Sequence, residues 1–239
     1  MFYVFSFKKL RIVSLTVLLF ALITAIIVGG KYQRGIVAVS ASNRQPGTVL
    51  IIDPGHGGLD GGAVGADGTV EAEINLELSL RLYDLSRFFG VQTCLTRNSG
   101  EIDYPEDIGG TAKKKTWDQK NRVNYINSFD NAVLISIHQN KYPDPRPWGP
   151  QVLYGNGEAS ELFGKAVHDS INAQLSPENR RVAVKISDSI YLMRCVRCPA
   201  ILVECGFVSN PGELEKLKSA DYQKQFALTL AASYLQFGF

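Results

Sequence analysis

The sequence is poor in histidine, cysteine and tryptophan, and its charges nearly cancel. Its 239 residues include three histidines, four cysteines and two tryptophans. The 25 basic residues oppose 23 acidic ones, which leaves a formal net charge of +2. Proteins that bind nucleic acid through charge need a much stronger basic surface. We therefore expect no nucleic-acid partner.

Cysteine is too sparse to suggest a cysteine-based site. Cys195 and Cys198 form a lone Cys-x-x-Cys pair, which is a weak zinc signal without a second pair at ligand spacing. A disulfide between them is permitted outside the cytoplasm. Cys94 and Cys205 adjoin apolar runs and are expected to be buried free thiols. We expect no cysteine to act as a ligand or a nucleophile.

A long uncharged apolar run occurs only near the N-terminus, at residues 12–30. It approaches the roughly 20 residues that a helix needs to cross a bilayer. Three basic residues precede it and two follow it, which favours a cytoplasmic N-terminus. We predict an uncleaved signal-anchor at 1–34 and a linker at 35–47, with the rest of the chain on the extracytoplasmic face of the membrane. A signal peptide cleaved near 39–41 is the alternative.

Residues 48–239 are predicted to form one globular domain. Strands are predicted from short apolar runs at 49–52, 91–95, 132–137, 151–154, 190–193 and 200–203. Helices are predicted from helical periodicity at 71–89, 117–129, 158–175, 211–217 and 221–237. Strands that alternate with helices indicate an α/β fold with a parallel or mixed sheet.

Three polar residues stand at the ends of predicted apolar strands: His56, His138 and Glu204. Ligands of α/β sheets bind at the carboxyl ends of strands, so residues distant in sequence can converge there. Two histidines and one carboxylate, with an open position, form a ligand set of catalytic zinc. A second carboxylate near the metal can serve as the general base. Together these residues predict a metal-dependent active site.

The pattern alone leaves several roles open. Glu71 and Glu73 both stand in the first turn of the first predicted helix, and spacing decides neither which of them joins the site nor which carboxylate binds metal. His168 lies within an amphipathic helix and is interpreted as structural. Trp148, in a proline-rich loop, either stacks on sugar or covers the core. The glycines after His56 either keep the floor of a cleft low or simply form turns.

Five stretches of the sequence resemble motifs of the zinc-dependent N-acetylmuramoyl-L-alanine amidases of bacterial cell walls. They are DPGHGG at 53–58, E-x-x-x-N-L at 71–76, LTR at 95–97, SIHQN at 136–140 and PAILVECGFVSNP at 199–211. The stretches occur in the order of the family's motifs. The resemblance extends from about residue 49 to the C-terminus.

This resemblance implies specific roles. His56, Glu71 and His138 would bind Zn²⁺, and Glu204 would be the catalytic carboxylate. Glu71 is preferred to Glu73 because it matches the first acidic residue of the family's motif. The implied fold is a single α/β domain with a mixed six-stranded β-sheet flanked by helices. The implied reaction is hydrolysis of the amide between the lactyl group of N-acetylmuramic acid and L-alanine in peptidoglycan.

Within the family, the chain is most similar to sporulation-specific amidases of the spore cortex. The signs are the predicted anchor without a wall-binding repeat, WGPQVLY at 148–154 and SIYLM at 189–193. This similarity implies a place in the forespore or spore envelope, a role before muramic-δ-lactam formation, and an activating partner protein. A zinc peptidase, a deacetylase of another cell-wall substrate and a non-catalytic wall-binding module are the alternatives.

Overall fold

The computed structural model describes residues 47–239. The predicted anchor at 1–34 and all but the last residue of the predicted linker lie outside the described residues. Within 47–239, no helix combines the length and the apolar character that a bilayer span requires.

Six strands form a single mixed sheet. They are β1 (Val49–Pro54), β2 (Thr93–Leu95), β3 (Ala132–Asn140), β4 (Gln151–Tyr154), β5 (Val184–Lys185) and β6 (Ala200–Phe207). Their order across the sheet is β2-β1-β3-β6-β4-β5. Strands β2, β1, β3 and β6 run parallel, whereas β4 is antiparallel to β6 and carries β5 parallel to itself. The sheet is therefore mixed, as the resemblance implied.

Helices cover both faces of this sheet. They are α1 (Glu71–Phe88), α2 (Thr111–Asn127), α3 (Glu158–Leu175), α4 (Tyr191–Cys195), α5 (Pro211–Lys218) and α6 (Ala220–Phe237). Alternate residues of β1 enter two cores: Leu50 and Ile52 pack with α1, α3, α5 and α6, and Ile51 packs with α2 and α4. A strand buried on both faces is apolar at every position, which explains the uninterrupted run at its start.

The structure corrects three predicted elements. Residues 190–193 were predicted as a strand, but 191–195 form the one-turn helix α4, in which Leu192 and Met193 are both buried. Short apolar runs do not separate a strand from a buried helical turn. Helix α2 begins at Thr111 rather than at residue 117. The prediction missed its first turns because they are polar and show no apolar stripe. The short strand β5 was not predicted, since both of its residues are exposed.

Candidate metal centre and active site

The turn after β1 is held by two arginines that bind its backbone. Arg97 donates hydrogen bonds to the carbonyl oxygens of Pro54 and Gly55, at 2.9 and 3.0 Å. Arg122 of α2 donates to the carbonyl oxygens of Pro54 and His56, at 2.8 and 2.7 Å. His56 adopts a φ of 60°, unlike any other non-glycine residue between 47 and 239. Such backbone strain persists only where surrounding contacts impose it, and it concentrates at functional sites.

Three predicted ligands meet at the carboxyl edge of the sheet. Glu71, the first residue of α1, places its Oε1 atom 3.4 Å from His56 Nε2 and 3.1 Å from His138 Nδ1. One ligand atom from each of the three side chains lies within 4.8 Å of the others. Glu73 is exposed and takes no part. The structure therefore selects Glu71 over Glu73 as the acidic member of this group.

Hydrogen bonds fix the Glu71 carboxylate in place. Its Oε2 accepts from the amide of Ala63 at 2.7 Å, and its Oε1 accepts from the amide of Gln139 at 3.0 Å and from Asn75 Nδ2 at 3.3 Å. Burial alone would raise the pKa of Glu71, but the nearby imidazoles of His138 and His56 hold that pKa well below its usual range. Glu71 is thus ionised and ready to bind a cation.

Glu204 lies beside these ligands on the neighbouring strand. His138 and Glu204 face each other in the parallel β3/β6 ladder, so both lie within strands rather than after them as predicted. The ladder continues beyond the apolar residues that marked the strands in the sequence. Burial, with a contribution from Glu71, raises the pKa of Glu204 to about 7 against the opposing effect of the histidines. Its buried Oε2 has no hydrogen-bond partner among the described residues.

Two further residues support His56, and sequence analysis missed both. Asp60 Oδ2 lies 3.0 Å from His56 Nδ1, and Lys115 Nζ of α2 lies 2.9 Å from the same oxygen. A carboxylate on the second imidazole nitrogen fixes the tautomer and orientation of a metal-binding histidine. Asp60 could have been found from its place in the glycine-rich loop, four residues after His56. Lys115 offered no signal, because its helix was not recognised.

Two glycines are required by the close packing of the site. A methyl group at Gly55 would overlap the imidazole of His138. Gly62 has a φ of 71°, and a methyl group there would lie 2.6 Å from Glu71 Oε2. At these positions glycine is therefore needed for the approach of backbone to the ligands, beyond any role in forming turns.

The cysteines and His168 stand apart from this centre. All four cysteines are free, and Cys205 is buried as predicted while Cys94 is partly exposed. The metal-ligand group identified within residues 47–239 contains no cysteine. His168 is buried in α3, where its Nε2 lies 2.8 Å from the carbonyl oxygen of Arg181. That position agrees with its interpretation as a structural histidine.

A cavity of about 300 Å³ opens onto the site. It is bordered by His56, His138 and Glu204 on the sheet side, by α2, and by Ile190 and Leu192. An α/β domain that gathers two histidines and two carboxylates in a cavity at the carboxyl edge of its sheet has the features of a metal-dependent hydrolase.

Comparison with known proteins identifies the family. The model of the N-acetylmuramoyl-L-alanine amidase family matches residues 50–234. The chain belongs to that family, which confirms the resemblance found in the sequence.

Several proteins similar to this chain are named as amidases. The germination-specific N-acetylmuramoyl-L-alanine amidase of Bacillus subtilis is 35% identical over 192 residues, which cover 80% of each chain. The CwlD amidase from Clostridioides difficile, solved in complex with the GerS lipoprotein, is 30% identical with a TM-score of 0.76; the match covers 79% of this chain and 97% of that one. The amidase AmiC2 of Nostoc punctiforme is 26% identical with a TM-score of 0.68, covering 81% and 98%.

Proposed function

We propose that this protein hydrolyses the amide between the lactyl group of N-acetylmuramic acid and L-alanine in peptidoglycan, with zinc bound by His56, Glu71 and His138. Glu204 is the catalytic carboxylate. The observation that carries the proposal is the convergence of the three ligand atoms within 4.8 Å, next to a carboxylate whose buried Oε2 is without a partner among residues 47–239.

The donor set fits zinc. Two imidazole nitrogens and one carboxylate oxygen are the three protein ligands of many catalytic zinc sites, in which the fourth position is left for water or substrate. Asp60 on the second nitrogen of His56 adds the outer carboxylate that such sites commonly have. Zinc in such a site supplies a Lewis acid that activates water and polarises the scissile carbonyl.

Glu204 moves the proton in this reaction. Its carboxylate accepts the proton that water loses on attacking the amide carbon, and returns it to the leaving nitrogen of alanine. The second transfer is essential because an amide anion is a poor leaving group. A base works best when its pKa is near the working pH, and burial of Glu204 moves its pKa in that direction.

The test measures metal and product in the same preparation. The purified full-length chain is analysed for zinc and incubated with peptidoglycan freed of other wall polymers. We expect one zinc per chain and release of intact stem peptides with a free N-terminal alanine. Release of acetate or of internal peptide fragments would instead indicate a deacetylase or a peptidase and would contradict the proposal.

The same proposal includes the substrate, the partner protein and the location of this amidase. Action on spore cortex, as the step before muramic-δ-lactam formation, is supported by the 35% identity to a germination-specific amidase. A partner protein is supported by the C. difficile relative, which was solved with a lipoprotein. An uncleaved anchor at 1–34 would hold the catalytic domain on the extracytoplasmic face, where its substrate lies.

A further inference from the structure

A second, larger groove borders the loop before β4. Its volume is about 610 Å³, twice that of the cavity at the metal ligands. It is lined by Asp144, Arg146, Pro147, Trp148, Glu178, Asn179, Arg180 and Arg181. No residue of the metal centre lines this groove, and nothing described so far assigns it a ligand.

The groove is connected to Glu204 through two side chains. Gln151, the first residue of β4, faces Glu204 in the antiparallel β4/β6 ladder, so their side chains lie on the same face as direct neighbours. Arg181 lines the groove and donates to Gln151 Oε1 at 3.3 Å. Trp148 precedes Gln151 by three residues, so it lies at most about 10 Å along the chain from the neighbour of Glu204. Arg181 and Gln151 thus link the groove to Glu204.

The walls of the groove are preformed. Asn179 is buried and donates to the carbonyl oxygen of Pro150 at 2.8 Å, which joins the two loops that line it. Glu213 of α5 accepts from the amide of Gly149 at 2.9 Å. Arg181 donates to the carbonyl oxygen of Trp148 at 3.1 Å. Because these bonds already order both loops, a ligand would not have to order them on binding.

The exposed groups of the groove suit a peptide that ends in a carboxylate. Three arginines oppose Asp144 and Glu178, so the groove has a net positive charge. Arg146 pairs with Asp144, whereas exposed Arg180 has no side-chain hydrogen bond or ion pair among residues 47–239. The Trp148 side chain is 43% exposed and offers an apolar surface. In the uncleaved substrate the lactyl carboxyl group is held in an amide bond and carries no charge that would match Arg180, whereas an uncrosslinked stem peptide ends in a free carboxylate.

We propose that this groove binds the C-terminal end of the substrate's stem peptide. Arg180 pairs with the terminal carboxylate, and Trp148 covers the apolar side chains. This inference rests on the proposed amidase function for the identity of the ligand. A stem peptide of three or four residues spans about 10 to 14 Å when extended, which is long enough to cover the three residues of chain between Gln151, the neighbour of Glu204, and Trp148.

Calorimetric titration of the full-length chain tests the groove independently of catalysis. The ligands are a synthetic stem tetrapeptide and its C-terminal amide. For the unmodified protein, amidation should weaken binding about tenfold, the usual worth of a charge-assisted hydrogen bond. For Arg180→Gln, the acid and the amide should bind with the same affinity. Arg197→Gln is the matched control. Arg197 is also exposed, but it precedes the first residue of β6 and does not line the groove.

Three results would overturn the groove assignment: no binding of the acid, equal loss from amidation in Arg180→Gln, or an equal effect of Arg197→Gln. Binding of peptide-free glycan that depends on Trp148 and not on Arg180 would also overturn it and would assign the groove to sugar. Peptide release from peptidoglycan is measured on the same preparation. Binding without release would leave the groove in place and would assign the failure to catalysis, or to the missing partner protein, and not to the groove.

Discussion

Glu204 is largely buried, and its Oε2 atom has no hydrogen-bond partner within residues 47–239. In Glu204→Gln the side chain keeps its shape but no longer accepts a proton. We expect the protein to keep its zinc and to lose turnover by a factor of about 10² to 10⁴, the usual contribution of general acid–base catalysis. Zinc content and the rate of peptide release should be measured on one preparation. Unchanged turnover would show that another group accepts the proton.

Asp60 Oδ2 lies 3.0 Å from His56 Nδ1, so we expect it to act on the metal site through that imidazole. Asp60→Ala frees the imidazole to rotate, so zinc affinity should fall about 10- to 100-fold, as for other outer carboxylates of zinc sites. Competition with a chromophoric chelator gives the affinity. Asp67→Ala is the control, because Asp67 pairs with Lys218 at the surface of the following segment. Equal loss in both variants would mean that the loop, and not the carboxylate, supports the metal.

For single residues, the sequence indicated which side chains belong to the site better than it indicated where they lie in the fold. His56, Glu71, His138 and Glu204 all lie at one site. The ends of the apolar runs indicated His56, His138 and Glu204, whereas Glu71 was chosen over Glu73 by the resemblance to the family. Lys115 was out of reach, since its contact with Asp60 depends on where α2 packs. Local patterns carry no information on such contacts between distant segments.

In the glycine-rich loop between β1 and α1, the backbone lies close to the proposed metal ligands, and glycine substitutions can show whether this close approach is required. Gly62 and Gly68 both have positive φ, at 71° and 90°, but only Gly62 would collide with Glu71 on gaining a methyl group. We expect Gly68→Ala to destabilise the fold by about 1 kcal/mol from backbone strain alone. Gly62→Ala should cost more and should also lose zinc. Urea unfolding and zinc content check both; matching results for the two variants would refute the steric argument.

The end of β1 is joined to α2 by a buried ion pair. Asp53 Oδ1 lies 2.8 Å from Arg122 Nη1, and Thr96 and Ser136 also donate to the Asp53 carboxylate. Burial by itself would raise the pKa of Asp53, but Arg122 and the two hydroxyls outweigh it and lower that pKa to about 2. A lowered carboxylate pKa stabilises the fold above the ordinary pKa of about 4, and this stabilisation is lost as the pH falls through 2.

This pair yields a pH-dependent prediction. Asp53→Asn should lower the free energy of unfolding by about 3 kcal/mol at pH 7, because Arg122 then keeps a buried charge without that partner. The difference from the unmodified protein should shrink between pH 4 and pH 2, as Asp53 itself becomes protonated. Urea titrations at pH 7, 4 and 2.5 give the comparison. A difference that stays constant over this range would contradict the assigned pKa.

Helices and strands were predictable from the sequence where their buried residues recur at a regular spacing. Helix α3 has the predicted bounds, because a regular apolar stripe runs along it. Helix α4 and the start of α2 were missed for opposite reasons. The first is too short for helical periodicity to register, and the second is too polar.

For the whole molecule, the alternation of strands and helices was enough to predict an α/β domain. The strand order was not predictable from the pattern, nor was the antiparallel direction of β4. Those features depend on which connections cross the sheet, and the resemblance to a family supplied the mixed six-stranded sheet instead.

Zinc should stabilise the entire domain, because its proposed ligands come from the turn after β1, from α1 and from β3 and converge only in the folded state. Free zinc at 100 times its dissociation constant should raise the free energy of unfolding by about 2.7 kcal/mol. Thermal melts of the full-length chain with and without a chelator measure this effect. In Glu71→Gln the chelator should have little influence. An equally large chelator effect in that variant would point to zinc bound elsewhere.

The facing positions of His138 and Glu204 in the β3/β6 ladder have a consequence for divergence within the family. The spacing between the proposed metal ligand His138 and the proposed base Glu204 is set by paired strands and not by loops. Loops around the site can lengthen, shorten or change composition while that spacing persists. A relative that keeps this strand pairing can therefore change what it accepts while the way in which it cleaves is preserved.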